Sequence, residues 1–157
     1  MEGILDSSKY FAHISVSKKL VNLIEDNAHE LTIRCIDNLL EHQYTKTYCT
    51  YDEDKLHERV YRVYSQLGKW ISRKTTKEEI AEHYTALGAQ RKREGFKASE
   101  VIQALIIIRR HLWLKILAEG FIDNVLELNQ ALALNNRVIL FFDRAIHYTI
   151  KGYEEAE

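Results

Sequence analysis

The chain has 157 residues, no proline, six glycines and a net charge of −1 at pH 7. A chain of this length is one domain by default, and the near-neutral charge gives no field that draws it to nucleic acid or an anionic membrane. Apolar runs such as Ala104 to Ile108 are far shorter than the ~20 residues of a membrane span. Two cysteines and no basic, apolar leader at the N-terminus predict a soluble cytoplasmic protein without a disulfide framework.

Helical spacing of apolar residues dominates the chain and predicts an all-α fold. Residues 1–16 are weakly patterned, and we expect an N-terminal arm there. A first helix is expected over residues 17–42, with Ser17 as its N-cap. Residues 43–51 are expected to form a loop, either packed over the end of the bundle or lining a pocket or a subunit contact. A second helix over residues 52–73 is expected to be capped by Asp52.

The third helix is expected to begin at Thr76, in a capping box with Glu79, and to end near Glu94. Gly88 lies inside it and costs about 1 kcal/mol relative to alanine, so we expect a close helix crossing at this position. Gly95 follows the helix and is expected to end it in the left-handed region.

The central helix is expected over Ser99 to Gly120, with Ser99 as its N-cap and Gly120 closing it as Gly95 closes the helix before. Its first three turns are apolar around most of their surface, so other elements must cover it on more than one side. Trp113 is expected to be a major packing residue of this helix, and its truncation to alanine is expected to cost about 3–5 kcal/mol.

The last helix is expected over residues 124–153, capped by Asp123 and followed by an acidic tail over residues 154–157. It has more apolar surface than a small bundle needs, which predicts a homodimer. Residues 17–153 therefore form a single helical domain. The arrangement is either a five-helix up-and-down bundle or a globin-like stack, because periodicity gives helix faces and not crossing angles.

Seven histidines raise the question of a metal or cofactor. The chain has no HExxH and no CxxC motif, and its two Asp-x-x-His units lack the glutamates of a di-iron site, so we predict no metal centre. A haem needs one axial histidine in an apolar cleft, and His111 or His83 are the candidates for such cofactor binding. The alternative for each is a hydrogen-bonded or partly solvated histidine without a ligand. No nucleophile or acid–base motif occurs, and we predict no catalytic residues.

Basic residues cluster around the junction of the third and central helices. Such a cluster is typical of a solvated face, and it is also suited to an anion or an acidic partner protein. The residues concerned are Arg91, Arg93, Lys97, Arg109 and Arg110.

Part of this region also forms a recognisable pattern. Arg91 to Phe96 (RKREGF) make a basic-x-Gly-Phe turn, and after Ser99-Glu100 an apolar helix follows with Arg109-Arg110-x-x-Trp113 at its core. The pattern resembles the N-terminal domain of the RsbT co-antagonist proteins of the RsbR type, and related segments stand before PucR-like transcription regulators. The resemblance covers residues 17–150.

The resemblance implies a helical, often dimeric, sensory module that acts through signal reception or partner contact and not through catalysis. Four residues match the motif, and their implied roles are structural: Gly95, Phe96, Arg110 and Trp113. The output domain of that family is not part of these 157 residues, so we expect a stand-alone regulatory domain. It would act through dimerisation, a signalling partner or a small apolar ligand. A globin-like or bundle cofactor carrier is the alternative.

Overall fold

The computed structural model describes residues 15–157, so the expected arm over residues 1–16 lies almost wholly outside the described residues. All regular structure in this part of the chain is helical, which confirms the all-α fold class. It comprises seven α-helices and one 3-10 helix, where the sequence predicted five helices. They are α1 (Lys18–Asp26), α2 (Ala28–Glu41), the 3-10 helix (Lys46–Thr50), α3 (Glu53–Ser65), α4 (Leu67–Ile71), α5 (Lys77–Arg93), α6 (Ala98–Glu119) and α7 (Val125–Glu155).

The two additional helices arise because the first two expected helices are each broken once. At the first break, Asn27 donates its side-chain amide to Leu23 O at 2.8 Å, in competition with the backbone ladder. At the second break, Gln66 separates α3 from α4, and Glu25 Oε2 accepts the N–H of Gly68 at 3.2 Å. The apolar stripe continues across both breaks, so periodicity alone did not reveal them.

Three of the expected N-caps are confirmed. The Ser17 hydroxyl accepts from Leu20 N at 3.2 Å, Asp52 accepts from Lys55 N at 3.0 Å, and Thr76 accepts from Glu79 N at 3.1 Å. Each side chain satisfies an amide that has no partner within the first helical turn.

Two other caps differ from the expected ones. The central helix α6 begins at Ala98, so Lys97 and not Ser99 is its N-cap. The Glu100 carboxylate accepts a hydrogen bond from Lys97 N at 3.2 Å, so a side chain binds a backbone amide at the N-terminus of α6. The last helix α7 is capped by Asn124 instead of Asp123, through a bond from Glu127 N at 2.8 Å.

The two glycines that end α5 and α6 have different roles. Gly95 has a φ of 91°, as expected for a left-handed C-terminal residue. Gly120 has a φ of −89°, so the expected left-handed ending is wrong. Space explains the second glycine, because a Cβ there would lie 2.6 Å from Ile116 O and 2.8 Å from Leu20 Cδ2.

Helix α6 lies at the centre of the core, as predicted, and packs against α1, α2, α5 and α7. Its tryptophan is less buried than expected, since Trp113 is only half-buried at the edge of the core. Trp70 of the short helix α4 is the deeply buried tryptophan, and it stacks on Phe141 with ring centroids 5.4 Å apart.

Helices α5 and α7 form the most extensive helix pair, running antiparallel with their backbones in contact. A Cβ on Gly88 would lie 2.1 Å from Thr149 O, and a Cβ on Gly152 would lie 2.2 Å from Thr85 O. The close crossing expected at Gly88 is therefore confirmed, and Gly152 is its counterpart on α7. Helix α7 also extends two residues beyond its expected end, where Lys92 Nζ donates to Ala156 O at 2.7 Å.

Candidate functional site

A cleft of about 840 Å³ opens between α3 and α5 and has α6 as its floor. The volume falls in the range of small-molecule sites. Its floor is apolar and is formed by Val101, Ala104, Leu105 and Ile108 of α6. Trp70 closes one end, and the Arg91 region of α5 closes the other. The walls add Lys55, Arg59, Arg62 and Val63 from α3, and Glu79, Glu82, His83 and Leu87 from α5.

Glu94 lies at the centre of an ionic network at the Arg91 end of the cleft. Arg59 binds it with both guanidinium nitrogens, at 3.1 Å from Nη1 to Oε1 and 2.7 Å from Nη2 to Oε2. Arg91 donates to Oε1 at 3.2 Å, and the Tyr51 hydroxyl donates to Oε2 at 2.8 Å. The Arg59 guanidinium also lies over the Tyr51 ring, 4.6 Å from its centroid. Two arginines therefore share one carboxylate.

The pKa values of Glu94 and Arg91 are both lowered, for different physical reasons. Burial by itself raises the pKa of Glu94, but hydrogen bonds from Arg59 and Tyr51 and the charge of Arg91 outweigh it and bring the pKa to about 2. Burial lowers the pKa of Arg91, and repulsion from Arg59 lowers it further against the attraction of Glu94. Glu94 is thus ionised, and Arg91 is repelled by one neighbour and attracted by the other.

The loop expected over residues 43–51 contains the 3-10 helix and packs against the same end of the cleft. Tyr48 is buried against Phe96, with ring centroids 4.5 Å apart. Glu100 anchors the loop, because its carboxylate accepts from Thr47 N at 2.8 Å and from Thr47 Oγ1 at 2.6 Å. The loop packs over the end of the bundle, and it also supplies Tyr48 and Tyr51 to the lining of the cleft. The two expectations for residues 43–51 therefore each hold in part.

The expected basic cluster does not form one patch. Arg91 is buried and points its charge at Glu94, whereas Arg93 and Lys97 are exposed. Arg93 borders a separate groove between α5 and α7. Arg109 is half-buried and Arg110 exposed, both more than two turns into α6. Sequence proximity suggested one site, but the helical geometry separates these side chains.

The two histidines named as cofactor candidates lie in different places. His83 lines the cleft and packs on Trp70 and Tyr84, with ring centroids 4.9 Å and 4.8 Å away. Burial lowers its pKa, and the positive charges of Lys69, Arg62 and Arg91 lower it further. His111 lines a second pocket, where its Nε2 lies 3.1 Å from Asn38 Oδ1. Burial, followed by the charges of Arg110 and Arg34, lowers the pKa of His111.

A second feature is an apolar surface formed by the end of α6, the following loop and the first turns of α7. Leu117 is 82% exposed, Phe121 75% and Val125 72%. Between residues 121 and 129 all side chains except Glu127 are exposed, so the start of α7 presents most of its side chains to solvent. We call this the α6–α7 surface; it consists of Leu114, Leu117, Phe121, Ile122, Val125, Leu126, Leu128 and Leu132.

Comparison with known protein families identifies the chain. The family model described as the RsbT co-antagonist protein rsbRD N-terminal domain matches residues 50–157, more than half of the chain. The chain belongs to this family. No curated protein and no solved structure matches it.

Membership in the RsbT co-antagonist N-terminal domain family implies a regulatory domain of bacterial stress signalling. The matched residues include the whole cleft wall of α3 and α5, the α6 floor and the α6–α7 surface. In residues 15–157, no helix is long and apolar enough to cross a membrane. The same residues contain no group of three or more histidine, cysteine, aspartate or glutamate side chains placed to hold a metal ion.

The motif residues of this RsbT co-antagonist domain have clear places in the structure. Gly95 makes the left-handed turn, and Phe96 is buried beneath Tyr48 and Tyr51. The Phe96 carbonyl accepts from the Tyr153 hydroxyl at 2.7 Å, which ties the turn to α7. The turn thereby holds Glu94 between α3 and α5.

Sequence reasoning missed the residues that meet Arg91 in the cleft. Arg59 lies off the apolar stripe of its helix, and Glu94 stood out only as an acidic residue within a basic run. Their pairing spans 35 residues, so no local spacing rule connects them. Trp70 continues the apolar spacing of the second expected helix, so the sequence marks it as a packing residue but does not show that it lies beyond the break at Gln66 and lines the end of a cleft.

Proposed function

We propose that this chain is a non-catalytic regulatory domain that acts as a homodimer through the α6–α7 surface. The observation that supports this most directly is the exposure of eight large apolar side chains between residues 114 and 132. Monomeric soluble proteins rarely expose contiguous apolar patches of this kind, whereas subunit interfaces bury them.

Helix geometry supports a second copy as the occupant of this surface. Helix α7 has 31 residues, and only its later part is buried against the body. Its exposed start presents apolar side chains on several sides, including Val125, Leu126 and Leu128. Two such helix ends can cover each other about a twofold axis, and each large apolar side chain that becomes fully buried contributes about 1.5–3 kcal/mol.

The alternative to a second copy is that the N-terminal segment of the same chain covers the surface. Ser17 N donates to Gln130 O at 3.2 Å, so Ser17 lies against α7 close to the surface. That segment includes Ile4, Leu5, Tyr10 and Phe11. The test of the dimer must therefore distinguish a partner subunit from this segment.

The test is the molar mass of the full chain in solution, measured by sedimentation equilibrium across a range of concentrations. We expect a dimer for the wild type and a monomer for Leu126→Glu, because a charge at the centre of the interface costs its full desolvation. Ile33→Glu is the matched control: Ile33 is an exposed apolar residue of α2, and its replacement should leave the dimer intact.

Two results would contradict the proposal. One is a monomeric wild type at all concentrations. The other is a monomer that begins to associate when Tyr10 and Phe11 are both replaced by serine, which would identify the N-terminal segment as the cover of the α6–α7 surface. Circular dichroism of each variant establishes that the helices remain formed.

The cofactor alternative rests on His83, because this residue lines the cleft between α3 and α5 and its lowered pKa keeps the imidazole neutral and able to bind a metal. His111 is the weaker candidate, since its Nε2 is engaged by Asn38. Titration with haem tests this alternative: a Soret band that shifts on binding and is lost in His83→Ala supports it. A spectrum equal to free haem argues against it.

A further inference from the structure

The cleft between α3 and α5 shares no residue with the α6–α7 surface. The kind of ligand that it would bind can therefore be inferred from its lining residues, whether or not the chain self-associates. We propose that it binds a small amphipathic anion, with the acidic group beside the Arg59–Glu94–Arg91 network, against guanidinium N–H groups of the two arginines that do not bind Glu94, and with the apolar body on the α6 floor. Such a ligand carries one acidic group, such as a carboxylate, at one end of an uncharged hydrocarbon or aromatic body.

The first argument concerns the charged side chains at the Arg91 end of the cleft. At the Arg91 end, Lys55, Arg59 and Arg91 face a single lining carboxylate, Glu94. Glu100 is nearby and keeps its charge, because Thr47 and Lys97 N bind it through neutral groups, so three positive side chains stand against two carboxylates. This end of the cleft therefore has an excess of positive charge, partly shielded from water, that an anion would compensate.

The second argument is the arrangement of the other charges. Arg62 is paired with Glu58 at the rim, at 2.5 Å, so these two contribute no net charge. Glu79 and Glu82 lie about 13–18 Å from Arg91 along the axis of α5, at 1.5 Å per residue. The cleft is thus positive at one end and acidic at the other, which disfavours a dianion with a charge at each end.

The third argument comes from the middle and far end of the cleft. Its floor consists of Val101, Ala104, Leu105 and Ile108, which suit an apolar body. Trp70 lines the far end and is 9% exposed, and its buried Nε1–H has no acceptor among the described residues. The Trp70 ring therefore offers the apolar body of the ligand an aromatic contact at the far end of the cleft.

The experiment compares two fluorescent probes that share a naphthyl–phenylamine body. 1-Anilinonaphthalene-8-sulfonate carries one negative charge, and N-phenyl-1-naphthylamine carries none. The 157-residue chain with Trp113→Phe retains Trp70 as its single tryptophan, so energy transfer from Trp70 reports binding of either probe. We expect the anionic probe to bind at least about tenfold more tightly than the neutral one, as a charge-assisted hydrogen bond predicts.

Variants locate the binding site. Arg59→Gln should weaken the anionic probe about tenfold and change the neutral probe less than about twofold. Arg110→Gln, an exposed arginine outside the cleft, is the matched control and should change neither. Val63→Phe enlarges a half-buried side chain in the cleft wall and should weaken both probes. Val63→Phe removes no charge, so it still tests the cleft if Arg59→Gln fails to fold.

Three outcomes would overturn the inference: equal affinity for the two probes, equal loss in Arg59→Gln and Arg110→Gln, or no effect of Val63→Phe. Leu126→Ser separates the cleft from the α6–α7 surface. If energy transfer is lost in Leu126→Ser and kept in Val63→Phe, the probe binds the exposed surface and the cleft inference is wrong. The dimer proposal is unaffected by any of these results.

Discussion

At the scale of single residues, Glu94 connects the motif turn to the cleft. It follows the last residue of α5, and it joins Arg59 of α3 to Arg91 of its own helix. Its carboxylate is about one-fifth exposed, so its interactions are screened less than those of a surface pair. Its ionisation should therefore be measurable as a contribution to stability.

The pH dependence of unfolding tests this. The pKa of Glu94 is lowered from 4.5 to about 2 in the folded state. The ionised carboxylate therefore stabilises the fold above the unfolded-state pKa, and this stabilisation is lost as the pH falls from about 4.5 towards 2. We expect the free energy of unfolding, measured with urea, to fall more steeply over this window in the wild type than in Glu94→Gln.

Glu58→Gln is the control, because Glu58 belongs to an exposed pair with Arg62 and should leave the slope unchanged. Equal slopes for the wild type and Glu94→Gln between pH 4.5 and 2 would contradict the lowered pKa of Glu94.

The histidines contribute to stability at higher pH. Because the pKa values of His83 and His111 are lowered in the folded state, their contribution begins to be lost as the pH falls below about 6.5.

The two tryptophans give a second residue-scale prediction. Trp70 packs against Phe141, Tyr84 and His83, so Trp70→Ala should destabilise the fold by about 3–5 kcal/mol. Trp113 is only half-buried, so we expect Trp113→Ala to cost about 1–2 kcal/mol, less than its sequence suggested. Urea denaturation of both variants checks the order, and a larger loss for Trp113→Ala would contradict the burial of the two rings.

At the scale of elements, the crossing of α5 and α7 is built on two glycines. Gly88 and Gly152 each face a backbone carbonyl of the opposite helix, at Thr149 and Thr85. The Thr149 hydroxyl donates a hydrogen bond to Ala145 O at 2.6 Å, so this side chain is held against its own helix at the crossing. Glycine is unfavourable inside a helix, so its presence at both contact points is explained by the close approach.

Replacing either glycine should separate the two helices. We expect Gly88→Ala to destabilise the fold by at least about 1–3 kcal/mol, because steric overlap with Thr149 O exceeds the gain in helix propensity. Gly68→Ala is the matched control, since its Cβ would meet Glu25 and Val21 only at ordinary distances of 3.5 Å. Thermal unfolding followed by circular dichroism measures both, and equal melting temperatures would contradict the close crossing.

Helix type and most helix starts followed from local sequence, whereas the two helix breaks did not. Ser17, Asp52 and Thr76 act through side chains that bond within three residues, so their capping was predictable. The break at Gln66 involves the contact of Glu25 with Gly68 N, 43 residues away. The break at Asn27 involves a bond only four residues long, to Leu23 O, but the apolar stripe continues across it. Neither contact leaves a trace in the periodicity, which explains why seven helices replace the expected five.

At the scale of the whole molecule, the α6–α7 surface and the cleft share no residue and have different chemistry. The surface is apolar and exposed, and we assign it to self-association. The cleft is recessed, with a positive end, and we assign it to a ligand. A regulatory domain with separate input and output faces would be arranged in this way, and α6 contributes both to the cleft floor and to the surface.

Self-association through this surface predicts a concentration-dependent stability. If folding and dimerisation are coupled, the melting temperature of the wild type should rise with protein concentration, because dissociation accompanies unfolding. The melting temperature of Leu126→Glu should be independent of concentration. Differential scanning fluorimetry over a hundredfold concentration range checks this, and a wild-type melting temperature that stays constant would argue against the dimer.

The sequence by itself determined the all-α class, the central position of α6, the family and the surplus of apolar surface on the last helix. These properties depend on periodicity, composition and short motifs, which act over one or a few helical turns. Tertiary structure alone decided that Arg91 turns inward to Glu94 and Arg59 while Arg93, Lys97 and Arg110 remain exposed. The physical reason is that helix rotation and crossing angle select which side chains meet, and both are properties of the packed whole.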